Sequence, residues 1–169
     1  MQSNLTNGYP SERTLKTVDP SVFMRINDVL CRFFLAFDRR DWPAMVECLA
    51  PQVAIDYSSS GREQPTTMTG EDFVSRRQNA VDTLAKHHSF SNLLITPGAD
   101  ARSVSARCNY LILRFDPAGS DEDFFHSCGS YEFGFEDIAG DWRISSIKQD
   151  ALRSWGNASL HGGSSREKT

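Results

Sequence analysis

The sequence predicts an α+β domain in which a strongly bent, mostly antiparallel sheet folds around N-terminal helices and leaves a cone with one open mouth. Three observations predict it. Apolar residues recur at three- and four-residue spacings in the first half of the chain, four long strand-like runs fill the second half, and turn-forming clusters separate those runs. With 169 residues there is room for one domain with a real core and none for a second.

Residues 1–18 and 157–169 are rich in Ser, Gly, Asn and charge and bury too little apolar surface to offset the entropy of ordering, which predicts disordered tails around a domain at 19–156. Asp19-Pro20-Ser21 announces the first helix, where Val22, Phe23, Ile26, Val29, Leu30, Phe33, Phe34 and Phe37 form an apolar arc broad enough to be covered on more than one side. Asp41 is an N-cap candidate for a short second helix through about Leu49, with Pro43 tolerated in its first turn and Pro51 stopping it. Val53, Ile55 and Tyr57 alternate with Ala54 and Asp56 as a strand, which Ser58-Ser59-Ser60-Gly61 ends. A third helix is predicted from Thr69-Gly70-Glu71-Asp72 through Phe73, Val74 and Val81 to about Leu84. Strands are predicted over 89–96, 103–115, 124–136 and 142–148, with Pro97-Gly98, Asp116-Pro117-Ala118-Gly119 and Ala139-Gly140-Asp141 as the breaks.

Composition narrows the function. Lys and Arg number 18 against 22 Asp and Glu, a formal charge of -4, and no basic run interleaved with aromatics follows a phosphate backbone, so nucleic acid is not expected as a partner. No stretch reaches the roughly 20 apolar residues that span a bilayer, and the N-terminal segment lacks the apolar core of a signal peptide; a soluble, cytoplasmic protein with no membrane partner is expected. Cys31, Cys48, Cys108 and Cys128 are widely spaced with no C-x-x-C pair and read as reduced, mostly buried small hydrophobes. Asp38, His88 and His126 form a two-histidine, one-carboxylate set on paper, but no short-spaced ligand pair anchors it, and no G-x-G-x-x-G or Walker loop is present. No metal and no cofactor is expected.

A sparse polar set stands out from the apolar pattern: Asp38 closing the phenylalanine-rich helix, Tyr57 ending the first strand and His88 opening the next. An acid that orients a histidine, a histidine that moves a proton and a phenol that polarises a carbonyl are the minimum parts for proton abstraction beside a carbonyl. An acid at a helix C-terminus sits unfavourably in the helix dipole, which argues that Asp38 serves another purpose. His87, next in the chain, competes with His88 for this role. Asp56 points to the opposite face from Tyr57 and reads as a surface residue. His126 is held in reserve, while Arg76 and Arg77 on the third helix and Arg39 and Arg40 near the mouth read as solvated faces, with an anionic substituent steered by them as the alternative that nothing else in the sequence supports.

The run Ala36-Phe37-Asp38-Arg39-Arg40-Asp41-Trp42, then Leu49-Ala50-Pro51, Ile55-Asp56-Tyr57, Gly70-Glu71-Asp72-Phe73-Val74, His88 with Asn92, and Gly140-Asp141-Trp142-Arg143-Ile144 resembles the scytalone dehydratase and SnoaL-like branch of the nuclear transport factor 2-like superfamily. The resemblance covers about Ser21 to Trp155. It implies a cone-shaped α+β barrel around a hydrophobic pocket, a homo-oligomer (dimer or trimer), and a small, largely apolar ligand. It also implies that Asp38 and His88 are an acid-base dyad of the kind shared with related dehydrochlorinases, with Tyr57 as a pocket tyrosine. The pattern departs at Phe37, where the dehydratase has a tyrosine, between Tyr110 and Arg114, where it has a second histidine, and at Gly129 and Tyr131, where it has serine and asparagine. Tyr110 or Tyr131 then supplies a phenol from a different wall, and Phe34, Phe37, Tyr110, Tyr131 and Asn92 are the substrate-contact candidates.

The function these readings converge on is a cofactor-independent lyase (dehydratase) or isomerase; the resemblance alone implies its place in secondary-metabolite biosynthesis and its substrate, a small hydrophobic cyclic carbonyl compound of polyketide or terpenoid type. A His-dependent base predicts a pH limb near about 6 to 7. A non-catalytic ligand-binding or subunit-interaction module and an epoxide hydrolase or cyclase remain open on the same fold.

Overall fold

The computed structural model describes residues 17–61, 64–80 and 82–160; the predicted tails fall mostly, and Val81 wholly, outside the described residues. Helix α1 (Pro20–Arg39) opens on Asp19, whose carboxylate accepts from the Ser21 backbone N–H, and closes on Arg40 in the left-handed conformation, with φ 55°. It is followed by α2 (Trp42–Glu47), β1 (Leu49–Asp56), a 3-10 turn at Ser58–Ser60, β2 (Thr66–Thr69), α3 (Gly70–Gln78), β3 (Ala85–Pro97), β4 (Ser103–Phe115), β5 (Phe125–Ile138), β6 (Asp141–Gly156) and a 3-10 turn at Ala158–Leu160.

The strands form one sheet in the order β2-β1-β6-β5-β4-β3, antiparallel except where β1 runs parallel to β6. It is curled and unclosed, with β2 and β3 as its edges. Inward positions alternate as the two-residue strand period requires: Val104, Ala106, Cys108, Tyr110, Ile112 and Arg114 on β4 are all buried. The buried stripe of α1, including Ile26, Leu30, Phe33 and Phe34, fills the concave side, where Phe33 and Phe34 lie 6.4 and 6.1 Å from Phe133 in edge-to-face contact. Each such buried aromatic contributes about 1.5–3 kcal/mol by removal from water. The arc of α1 is narrower than its sequence suggests, since Phe23 is exposed.

Several boundaries differ from expectation, each for a nonlocal reason. Strand β1 starts at Leu49, which pairs with Ile144 of β6, and Pro51, expected as a helix stop, sits in the irregularity between Leu49 and Ala54, where a missing N–H breaks no ladder bond. Strand β2 was not expected: it is short and threonine-rich, and its place comes from pairing with β1, Val53 opposite Met68. Helix α3 ends at Gln78, short of the expected Leu84; Asn79 caps it, completing the last helical bond with its backbone N–H to the Ser75 carbonyl and donating its side-chain amide to Ser75 Oγ at 3.2 Å. Strand β6 runs on to Gly156 because it stays paired with β5, Trp155 opposite His126.

All four cysteines are free; burial pushes the Cys48 and Cys108 thiols up to about 11, so both are neutral packing groups. No helix among the described residues is long and apolar enough to cross a membrane.

Candidate functional site

The last turn of α1 delivers Asp38 to the inner face of β3, where His88 sits within the strand rather than at its start. Asp38 holds His88 twice. Its Oδ2 accepts from the His88 backbone N–H at 2.9 Å, and its Oδ1 is hydrogen-bonded to the ring Nδ1. An ionised carboxylate only accepts, so Nδ1 carries the proton and Nε2 keeps its lone pair. The ring is packed as firmly as it is bonded: Phe34 stacks on it at 5.5 Å and 18°, and Phe37 lies at 4.9 Å. The side chains of His88 and Asp38 are only 6% and 14% exposed.

Burial is the largest influence on His88 and lowers its pKa; the Asp38 hydrogen bond and charge act the other way, and the Arg114 and Lys86 charges reinforce burial. The neutral, proton-accepting form is therefore the resting form. Asp38 by itself raises the basicity of the ring. Dehydration outweighs it.

His88 faces a cavity of about 470 Å³, a size suited to a small ligand. Its aromatic and aliphatic wall includes Phe37, Trp42, Tyr57, Ile112 and Tyr131. Tyr131 is buried, accepts a 2.8 Å hydrogen bond from Gln149 Nε2, and has its phenol pKa pushed well above the ordinary value by burial, so it is a permanent O–H donor. Tyr110 lies behind it with ring centroids 4.7 Å apart. Gly129 makes room for this pair: a Cβ there meets the Asp150 carbonyl oxygen at 2.1 Å and the Tyr110 ring at 2.9 Å.

The predicted residues thus divide. His88, Tyr57, Phe37 and Tyr131 line the cavity, Asp38 acts on it only through its two bonds to His88, and Phe34 and Tyr110 support it from behind. Asn92 does not reach it. It is exposed, at φ 54°, in the register shift between Ser91 and Leu94 of the edge strand, where the bulge turns it outward. His126 also lies elsewhere: its ring sits among Phe115, Phe124 and Trp155, and its Nδ1 accepts from the Arg114 backbone N–H at 3.2 Å. Asp38, His88 and His126 are therefore not assembled as a metal triad, and no cluster of three potential ligands occurs among the described residues. His87 is exposed and bonded to Ser89. Asp56 caps the Ser58 turn, as a surface residue should. Leu152 and Trp155 continue the sheet and do not line the cavity.

The lining residues that were missed include Arg114, Lys86 and Gln149 on the strands and Gln78, Ala80 and Asp82 at and after the end of α3. Strand parity carried the signal, since Arg114 shares the inward phase of Tyr110 and Ile112, Lys86 that of His88 and Phe90, and Gln149 that of Ile147. Arg40, Arg76 and Arg77, expected on solvated faces, also line the cavity.

A model of the SnoaL-like domain matches residues 24–148, which include the dyad and the cavity strands. The chain belongs to the SnoaL-like family. Solved structures of this fold include the Kfla4162 protein from Kribbella flavida, with 21% identity, a TM-score of 0.75, and coverage of 84% of this chain and 98% of that one. A type 2 hexachlorocyclohexane dehydrochlorinase matches with 16% identity, a TM-score of 0.66, and coverage of 84% and 93%. The β subunit of benzoate 1,2-dioxygenase from Burkholderia mallei matches with 19% identity, a TM-score of 0.61, and coverage of 81% and 93%. At these identities the likeness is one of fold, and that fold carries different activities. No curated protein sequence matches the chain. In this SnoaL-like chain the site's own chemistry is the guide: a neutral, oriented imidazole with an open nitrogen, beside a buried phenol, in a cavity with aromatic and cationic walls.

Proposed function

We propose that this protein is a cofactor-independent lyase or isomerase that removes a proton from the carbon beside a carbonyl of a small cyclic polyketide- or terpenoid-like metabolite, in secondary-metabolite biosynthesis. The observation that supports it most is the Asp38–His88 pair, whose carboxylate occupies Nδ1 and leaves Nε2 on the cavity side. His88 takes the proton through Nε2. Asp38 stabilises the imidazolium that forms. Tyr131 and Tyr57 donate to the carbonyl oxygen as charge develops on it, where preorganised donors contribute most. A hydroxyl at the β-carbon then departs with the proton from His88, giving a dehydration; without a leaving group the enolate is reprotonated at another carbon, giving an isomerisation. A homo-oligomer, dimer or trimer, is the assembly that the family resemblance implies.

Epoxide opening fits less well. It calls for a carboxylate free to activate water, and among the described residues Asp82 alone lines the cavity as a carboxylate, paired with Lys86. The binding-module reading is separated by a turnover test. With 1-tetralone as a probe, the protein in D2O should accelerate deuterium uptake at the carbon beside the carbonyl, read by proton NMR. Exchange at the uncatalysed rate, with the probe bound, would favour a binding module.

A further inference from the structure

The cavity holds a second chemistry beside the proton-transfer pair. Lys86 and Arg114 stand directly opposite each other across β3 and β4, one register step of inward residues from the His88–Ile112 pair. Like charges in directly opposed positions repel, and more so where water is scarce. Arg114 is only 5% exposed, and its guanidinium is held by Ser127 Oγ at 2.9 Å and the Phe125 carbonyl at 3.4 Å. Lys86 is half-buried, paired with Asp82, and lies 5.2 Å from the Phe37 ring. Arg77 approaches from α3, with its guanidinium 4.1 Å from the Phe73 ring and 5.4 Å from the Tyr57 ring. Arg40 and Arg76 complete a basic wall. A chain with a formal charge of -4 has thus placed five of its 18 Lys and Arg, against one carboxylate, Asp82, among the described residues lining the cavity where His88 works.

A low-dielectric cleft lined by one sign of charge focuses its field on a ligand of the other sign. The planar guanidinium fork of a fixed arginine fits a carboxylate through two parallel hydrogen bonds. We propose that the cavity selects an anion: a small ring compound carrying a carboxylate, received by Arg114 and Lys86, with its ring against Phe37 and Tyr131 beside His88. The selection of the anion stands on the basic wall, whereas its orientation toward His88 rests on the proton-transfer reading above. One consequence links the two. The charges of Arg114 and Lys86 help to keep His88 neutral, so a bound carboxylate that offsets them makes His88 a stronger base only when substrate is present.

The test compares 1-naphthoate with its neutral counterpart 1-naphthamide, titrated against the full chain by calorimetry and by quenching of tryptophan fluorescence, to which the cavity residue Trp42 contributes. Naphthoate should bind at least about tenfold more tightly than the amide. Arg114→Gln should remove most of that preference while leaving the amide's affinity within about twofold. Should circular dichroism show that Arg114→Gln is unfolded, Arg77→Gln, on the more exposed α3, should still reduce the preference severalfold. His88→Ala should keep it, because the anion is held by the basic wall. Equal or tighter binding of the amide by the wild-type protein overturns the proposal, as does a preference that Arg77→Gln and Arg114→Gln both leave intact or that His88→Ala abolishes. These results are independent of proton transfer: a preference for naphthoate without deuterium exchange into 1-tetralone overturns only the catalytic reading, and exchange without the preference overturns only this one.

Discussion

Asp38 and His88, 50 residues apart in the chain, are joined at two points, the carboxylate taking the backbone N–H of His88 with one oxygen and its ring Nδ1 with the other. The pair therefore does two jobs. It docks the end of α1 onto edge strand β3, and it fixes the imidazole tautomer that points an unprotonated Nε2 at the cavity. The two jobs separate by mutation. Asp38→Asn retains an acceptor for the backbone N–H but no longer stabilises an imidazolium, so exchange into 1-tetralone should fall about a hundredfold or more with little change in melting temperature. Asp38→Ala strips both contacts and should in addition cost about 1–3 kcal/mol of stability, read by denaturant melts. Full activity in Asp38→Asn would leave His88 without its orienting partner.

The pH dependence has a definite direction. Burial lowers the pKa of His88 below the ordinary 6.5, so the acid limb of the exchange rate should lie below about 6.5, the value its residue type alone predicts. Stability follows the same sign: between the depressed folded value and the unfolded one the unfolded chain binds more protons, so stability rises with pH through that window, is complete above about 6.5 and is lost as pH falls. Thermal melts from pH 4.5 to 8 should show this slope in the wild-type protein and a shallower one in His88→Gln.

The two phenols should differ in weight. Tyr131 is the buried donor with Gln149 behind it, so Tyr131→Phe should lower kcat by about a hundredfold, as loss of an oxyanion donor does, and should leave Gln149 short of a partner at a cost of about 1–3 kcal/mol. Tyr57, half-buried at the wall, should cost less when changed to Phe. Steady-state kinetics on both variants, with melts alongside, would rank them.

Gly129 should be irreplaceable for a steric reason. The Cβ of Gly129→Ala collides with the Asp150 carbonyl, which is backbone of the paired strand and cannot swing aside, and crowds Tyr110. A loss of about 1–3 kcal/mol is expected in denaturant unfolding; an unchanged midpoint would show that β6 relaxes freely at the neighbouring bulge.

How far the sequence could be read depended on how local each signal was. Helix α1 announced itself through the Asp19 cap and the Ile26, Leu30, Phe33 spacing, and β4 matched its predicted span because its period-two pattern is unbroken from Val104 to Ile112. Asp38, His88 and Tyr57 were legible as residue types in an ordered series of motifs. Strand β2 was not, because Thr66–Thr69 is a strand only by virtue of β1. Asn92 was misplaced because a bulge in β3 inverts the parity that its spacing from His88 implied. Arg114 and Lys86 were overlooked although their parity pointed inward, since buried cations are rare enough that a charge in a strand is first read as solvated. Their burial at the cavity is what turned a generic apolar cone into one with a charge preference.

The central claim is that His88 moves a proton at carbon, and deuterium uptake into 1-tetralone by the wild-type protein and His88→Ala, both shown folded by circular dichroism, tests it most directly. The account predicts protein-accelerated exchange that falls by about a hundredfold or more in the variant; equal exchange by the two proteins would contradict it.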